Sequence, residues 1–232
     1  MGKAVLFDLD GTLADTLESL AYCTNRALVD FSFQPLDKML FKKFVGNGSR
    51  MQITRALRAV QAEEMLRRDG ETDDDGFRTQ PRLLEEVHER YLAYFAKDCM
   101  YGVRPYEGIV PLLEQLKQQG IKIAVFSNKP HANTVEVTET LFGKGYFDSV
   151  RGQKDGYPKK PAPDGVHAIL NGLGVSAADC LYVGDSWVDM ETGHNAGART
   201  VGVLWGFRDR AELEAHHADA VISRPEELLE LV

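Results

Sequence analysis

Five short apolar runs recur along the chain with little polar alternation: AVLFDL (4–9), KIAVFS (122–127), CLYVGD (180–185), RTVGVLW (199–205) and the weaker ADAVIS (218–223). A strand that is apolar on both faces must be covered on both faces, so these runs predict strands of a buried parallel sheet. Helical segments lie between them. In EGIVPLLEQLKQQG, Ile109, Leu112, Leu113 and Leu116 fall on one stripe, Pro111 sits in the first turn and Gly120 ends the segment. Strand and helix in alternation predict an α/β fold, a doubly wound and mostly parallel sheet with a Rossmann-like core. Ligands of such folds bind at the carboxyl ends of the strands.

The alternation breaks between about Thr16 and Lys97, where no strand pattern is found but three helical stripes are. They are Leu17, Leu20, Ala21, Thr24 and Leu28; then Met51, Ala56, Leu57 and Val60; then Leu83, Leu84, Val87, Tyr91 and Phe95. The organisation expected is a core of residues 1–15 and 98–232 with an inserted α-helical domain over 16–97. DGETDDDGFRTQPR (69–82) interrupts the insertion, and its clustered acids read as a solvated loop to which no function is assigned.

Composition narrows the class. With 44% hydrophobic and 27% charged residues in 232, the chain can bury a core without staples. A formal charge of −8 argues against nucleic acid or an anionic membrane surface as partner, since both demand a basic excess. Cys23, Cys99 and Cys180 are widely spaced and odd in number, and read as reduced thiols. The amino-terminal apolar run is too short for a signal or a span, and residue 6 is leucine where a myristoylation signal wants serine or threonine. A cytoplasmic location is expected; the oligomeric state is not legible.

Chemistry-bearing residues gather at the predicted strand ends. The first run leads into Asp8, Asp10, Gly11, Thr12 and Asp15; the second into Ser127, Asn128, Lys129 and Pro130; YPKKPAPD (157–164) carries a lysine pair; and VGDSWVDM ends a strand at Asp185, with Asp189 four residues on. Taken singly, each is an ordinary turn, helix cap or surface lysine. Together, at converging strand ends, they suit one cleft. Asp8 and Asp185, with Asp189 as a third candidate, offer hard oxygens suited to Mg2+. A phosphomonoester dianion can approach an aspartate only if positive charge offsets the repulsion, which Mg2+ and one of Lys159 and Lys160 would supply. Ser127 with nearby backbone N–H groups suits a phosphate cradle, and Asp10 suits an acid that later serves as base. Trp187 and His131 read as packing and surface residues, and His194, His216 and His217 lack ligand-like spacing.

DLDGTLADT, FSNKP, KKPAPD and GDSWVDM together resemble the haloacid dehalogenase superfamily, in particular its phosphatases with a helical cap. The resemblance implies that Asp8 is the nucleophile, forming an aspartyl-phosphate, and that Asp10 is the general acid and base. It implies that Ser127 and Lys160 hold the phosphate, Lys160 being the lysine directly before Pro161. It further implies that Asp8, the Asp10 backbone carbonyl and Asp185 bind Mg2+, with Asp189 close by or acting through water.

Asp10 separates the chain from dehalogenases and phosphonate-cleaving relatives, because a poor alkoxide leaving group needs a proton donor. Thr12, where sugar phosphomutases of the β-phosphoglucomutase type usually carry valine, favours hydrolysis. FVGNGSRMQITRAL (44–57) resembles the cap loop of bacterial phosphoglycolate phosphatases, which makes Gly46, Asn47 and Gly48, together with Asn128, the expected substrate-binding residues. The expected substrate is a small phosphorylated molecule, 2-phosphoglycolate foremost, enclosed when the cap closes. A phosphomutase, and a pyrophosphatase or broad-specificity sugar phosphatase, are the alternatives.

Overall fold

The structure, a computed structural model, describes residues 3–67 and 81–232. Most of the acidic stretch 69–82 lies outside them; its last two residues begin a helix. In chain order the strands are β1 (Ala4–Phe7), β2 (Ala14–Asp15), β3 (Arg104–Pro105), β4 (Lys122–Pro130), β5 (Ser149–Gln153), β6 (Cys180–Gly184), β7 (Arg199–Val203) and β8 (Ala220–Ile222). The α-helices are α1 (Leu17–Asp30), α2 (Phe41–Phe44), α3 (Ser49–Arg67), α4 (Pro81–Asp98), α5 (Ile109–Gln118), α6 (His131–Phe142), α7 (Asp164–Leu173), α8 (Trp187–Ala196) and α9 (Arg210–Ala215).

The chain divides into two compact units, one running to Thr16 and resuming at Arg104, the other spanning Leu17–Val103. In the first, six strands form a sheet in the order β5-β4-β1-β6-β7-β8, every neighbouring pair parallel. This is a doubly wound Rossmann-like sheet. The winding starts at β1, runs outward through β4 to β5, then returns across β1 to β6 and runs the other way. The switch point therefore lies between β1 and β6, where connections leave in opposite directions and a crevice opens at the carboxyl ends. Phe7 is level with Val125 of β4 and Val183 of β6, so Asp8 emerges at that crevice.

The five apolar runs all become strands. β5 was not anticipated, because SVRGQ is polar and only Gly152 in it is buried, as an edge strand allows. One face of the sheet packs Leu6, Ala124, Phe126 and Tyr182 against Val166, Ile169 and Leu170 of α7. The antiparallel pair β2 and β3 lies outside the large sheet, where the chain leaves the first unit and where it returns.

The second unit is helical among its described residues. α1 buries Leu17, Leu20, Ala21, Thr24 and Leu28, and α4 buries Leu84, Val87, Tyr91 and Phe95, with Leu83 half-buried. In α3 the buried face is Gln52, Ile53, Ala56, Leu57 and Val60, while Met51 is 42% exposed. Met51 therefore does not belong to the stripe expected of it. Glutamine holds the inward position in its place because Gln52 Nε2 donates to Thr24 Oγ1 at 2.9 Å, which satisfies it inside the unit.

Asp148, just before β5, ties the amino-terminal end of β4: its carboxylate accepts the Ile123 N–H and the Lys122 ammonium, both at 2.9 Å. Partial burial pushes its carboxyl up, but the bonds from Lys122 and Ile123 outweigh that and hold it below the usual range. A carboxyl lowered by folding stabilises above its unfolded pKa and stops doing so as pH falls through its folded one. Asp148→Asn is therefore expected to lower the urea midpoint at pH 7, with the gap from wild type closing below about pH 4.

Candidate active site

The site is built from the carboxyl ends of β1, β4 and β6 and the segment before α7. Asp8 follows β1 and donates its N–H to Val183 O of β6 at 2.9 Å, which fixes its main chain in the ladder. Beyond it the chain turns sharply: the N–H groups of Thr12, Leu13 and Ala14 all point at Leu9 O, at 3.3, 3.1 and 3.0 Å. Gly11 takes φ +87° in this turn, and a Cβ there would stand 2.3 Å from Asp185 Oδ2. Only glycine lets the two acidic loops approach so closely. Thr12 is fully buried, and its Oγ1 has no hydrogen-bond partner among the described residues.

Asp8, Asp10, Asp185 and Asp189 are all buried, as are Lys129 and Lys160. Lys160 lies between two of the carboxylates, its Nζ 2.9 Å from Asp8 Oδ1 and 2.7 Å from Asp189 Oδ1. Asn128 holds the Lys160 main chain in place: its amide donates to Lys160 O at 3.2 Å and its Oδ1 accepts the Lys160 N–H at 2.9 Å. Asp10 points elsewhere. Its Oδ1 accepts Lys129 Nζ at 2.5 Å and Thr16 Oγ1 at 2.6 Å. Ser127 is buried in β4, where its Oγ accepts the Lys129 N–H at 3.2 Å.

Asp185 and Asp189 come from one strand-to-helix junction. Ser186 caps α8, its Oγ giving a hydrogen bond to Asp189 Oδ2 at 2.6 Å, while Asp189 in turn accepts the Ser186 N–H at 3.1 Å. Asp189 Oδ1 is left for Lys160. Asp185 Oδ2 accepts the Phe207 N–H at 2.7 Å. Trp187 packs its ring 5.5 Å from His216 and donates its backbone N–H to Glu212 Oε1 at 3.3 Å.

Oxygens of Asp8, Asp185 and Asp189 come within 4.8 Å of one another. Burial pushes the Asp8 carboxyl up to about 7; Lys160 opposes this, and the neighbouring Asp189 and Asp10 charges add to it. Burial, followed by the Asp189 and Asp8 charges, also raises the Asp185 carboxyl well above the usual range, against the Phe207 N–H and Arg208. Lys160 stays charged, because the two carboxylates against it outweigh its own burial. Ionised together, the four buried carboxylates would carry two more charges than the two buried ammonium groups offset, and the raised Asp8 and Asp185 carboxyls are the physical sign of that excess; a divalent cation carries the charge that would balance it. Hard oxygen donors with that charge deficit fit such an ion.

The structure thus brings Asp8, Asp10, Ser127, Asn128, Lys160, Asp185 and Asp189 to one sheet edge. Gly46, Asn47 and Gly48 belong to the helical unit. There Gly46 and Gly48 take φ of +114° and +86°, and Arg55 pins the loop by donating to Phe44 O at 2.8 Å and to Asn47 Oδ1 at 2.7 Å. Two contributors have no role in the reading of the sequence, although Lys129 is named there. Lys129 could have been given one, since it stands two residues from Ser127 in a strand and therefore shares its face. The turn Trp205–Phe207 follows a predicted strand and so also reaches the carboxyl edge.

A doubly wound sheet with clustered carboxylates and lysines at its switch point defines a Rossmann-like core with a charged site at its carboxyl edge. More particularly, the chain belongs to the haloacid dehalogenase-like hydrolases, whose family model matches residues 5–203, and it is an enzyme of the phosphoric monoester hydrolase class. It is 36% identical to a phosphoglycolate phosphatase of Rhodospirillum rubrum, over 89% of this chain and 81% of that protein. It is 32% identical to one from Pectobacterium atrosepticum, over 99% and 92%. A solved structure from Lactobacillus delbrueckii, assigned as a phosphoglycolate phosphatase, is similar with a TM-score of 0.89 and 34% identity, covering 99% of this chain and 97% of that one. Among the described residues no helix is long and apolar enough to cross a membrane.

The charge deficit has a consequence for stability. A divalent cation that binds the folded chain and not the unfolded one stabilises it in proportion to the logarithm of concentration over Kd. Stripping the protein with EDTA is expected to lower its melting temperature, and millimolar Mg2+ to restore it, as read by calorimetry without substrate.

Proposed function

We propose that the chain is a Mg2+-dependent phosphatase that hydrolyses a small phosphomonoester, 2-phosphoglycolate foremost, through a phosphorylated Asp8. The observation that carries this reading is the cluster of buried carboxylates, with Lys160 bridging Asp8 and Asp189 and two more carboxyl than ammonium groups. Asp8, the Asp10 carbonyl and Asp185 are the residues proposed to hold Mg2+, with Asp189 beside them. When bound, the cation offsets the repulsion between the phosphate and the carboxylates.

Asp8 attacks phosphorus as the ester P–O bond breaks, and Asp10 gives a proton to the departing alkoxide, releasing glycolate. Asp10 then takes a proton from water as that water attacks phosphorus, which breaks the Asp8–phosphorus bond and frees inorganic phosphate. Lys160 and Ser127 hold the non-bridging oxygens, and Asn128 keeps Lys160 in place. The Lys129 ammonium and Thr16 hydroxyl hold Asp10 between these tasks. Each proton that leaves Asp10 is thus recovered within one cycle.

Support for the substrate comes from the relatives' names and from the Gly46–Gly48 loop, whose backbone N–H groups suit a small acid. In this reading the three buried free cysteines suit the cytosol. Asp8→Asn is expected to cut phosphate release by roughly 10⁴-fold or more while the variant still folds. Across a panel of 2-phosphoglycolate, pyrophosphate and sugar phosphates with Mg2+, the highest kcat/KM is expected for 2-phosphoglycolate. Formation of glucose 6-phosphate from β-glucose 1-phosphate would instead mark a phosphomutase.

A further inference from the structure

The turn after β7 touches both acidic loops. Its middle residue, Gly206, is buried, and a Cβ there would stand 2.4 Å from both Asp185 Cβ and Gly11 O. The next residue, Phe207, donates its N–H to Asp185 Oδ2 at 2.7 Å. The residue before, Trp205, donates its indole Nε1–H to Thr12 O at 3.0 Å. Phe207 also lies against Gly11, whose missing Cβ would come 3.0 Å from Phe207 Cδ2. Three consecutive residues therefore hold the loop that carries Asp8 and Asp10 on one side and the Asp185 carboxylate on the other.

We propose that Trp205, Gly206 and Phe207 act as a positioning strap that sets the spacing and orientation of the carboxylates for a divalent cation. The inference rests on the cation-binding part of the function proposed above and assigns residues to it that ligate nothing themselves. A carboxylate oxygen bound by a fixed N–H cannot rotate freely, so the Phe207 N–H selects one orientation of Asp185. The indole bond does the same for the turn after Asp8, because Thr12 O is part of that turn. Gly206 is what allows both bonds at once. Any side chain there must move either the Asp185 side chain or the Gly11 main chain, and each move opens the cage.

Such a strap acts first on affinity for the ion, so its disruption should raise the Mg2+ concentration needed for half-maximal activity. A residue that served only to stabilise the fold would lower the melting temperature without moving the ion's Kd.

The test is calorimetric titration of Mg2+ into EDTA-stripped protein, for wild type, Gly206→Ala and Trp205→Phe, with melting temperatures measured in EDTA alongside. Gly206→Ala is expected to weaken Mg2+ binding by about 10- to 100-fold, the range found when supports of metal ligands are lost. Trp205→Phe keeps a ring and loses only the N–H donor; it is expected to weaken binding roughly 3- to 10-fold and provides the answer if Gly206→Ala does not fold. Unchanged Kd in a folded variant, for either substitution, overturns the strap. A wild type that binds no Mg2+ at millimolar concentration overturns the cation itself, a different outcome from two variants that bind as wild type does.

Discussion

Everything at the sheet edge depends on a balance of buried charge. Four carboxylates are taken out of water at the ends of β1 and β6, and each would cost several kcal/mol if left alone. Lys160 answers two of them and Lys129 a third, both through side chains only 2% exposed. What remains is a deficit of positive charge beside Asp8, felt in a carboxyl pushed up to about 7 by burial and by Asp189 and Asp10, against Lys160. In the function proposed above, a divalent cation would complete this balance and let a phosphate dianion approach.

The fold makes this concentration of charge geometrically possible. A doubly wound sheet ends its central strands at one edge, and β1 lies between β4 and β6 at the centre of that edge. β1 and β6 are buried along their whole length, so the backbone leading to Asp8 and Asp185 is held by ladder hydrogen bonds and packing rather than by the polar groups themselves. Rigidity is supplied from the core and reactivity from the loops. The two lysines arrive by different routes, Lys129 inside β4 and Lys160 from the turn before α7, and each is fixed by a neighbour in the same cluster.

Much of this was legible in the chain. Runs such as AVLFDL and CLYVGD announce buried parallel strands because they show no polar face, and acidic residues directly after them can only lie at the carboxyl edge. β5 was invisible for the converse reason, since an edge strand with one buried residue needs no apolar pattern. Gln52 was missed because a hydrophobic stripe does not register a polar side chain satisfied by a buried threonine. Lys129 and the turn Trp205–Phe207 act by contact across the chain, Lys129 on Asp10 and the turn on Asp185 and Thr12, and no local spacing encodes such partners.

The central claim is that phosphate passes through covalent attachment to Asp8. The most direct measurement is an acid quench of one turnover of wild-type protein with 2-phosphoglycolate and Mg2+, followed by peptide mass spectrometry. A transient phosphoryl group is expected on the peptide that contains Asp8, at Asp8 itself, decaying as inorganic phosphate appears. Phosphate release at full rate with no phosphorylated peptide at any quench time, or with the label on another residue, would contradict it.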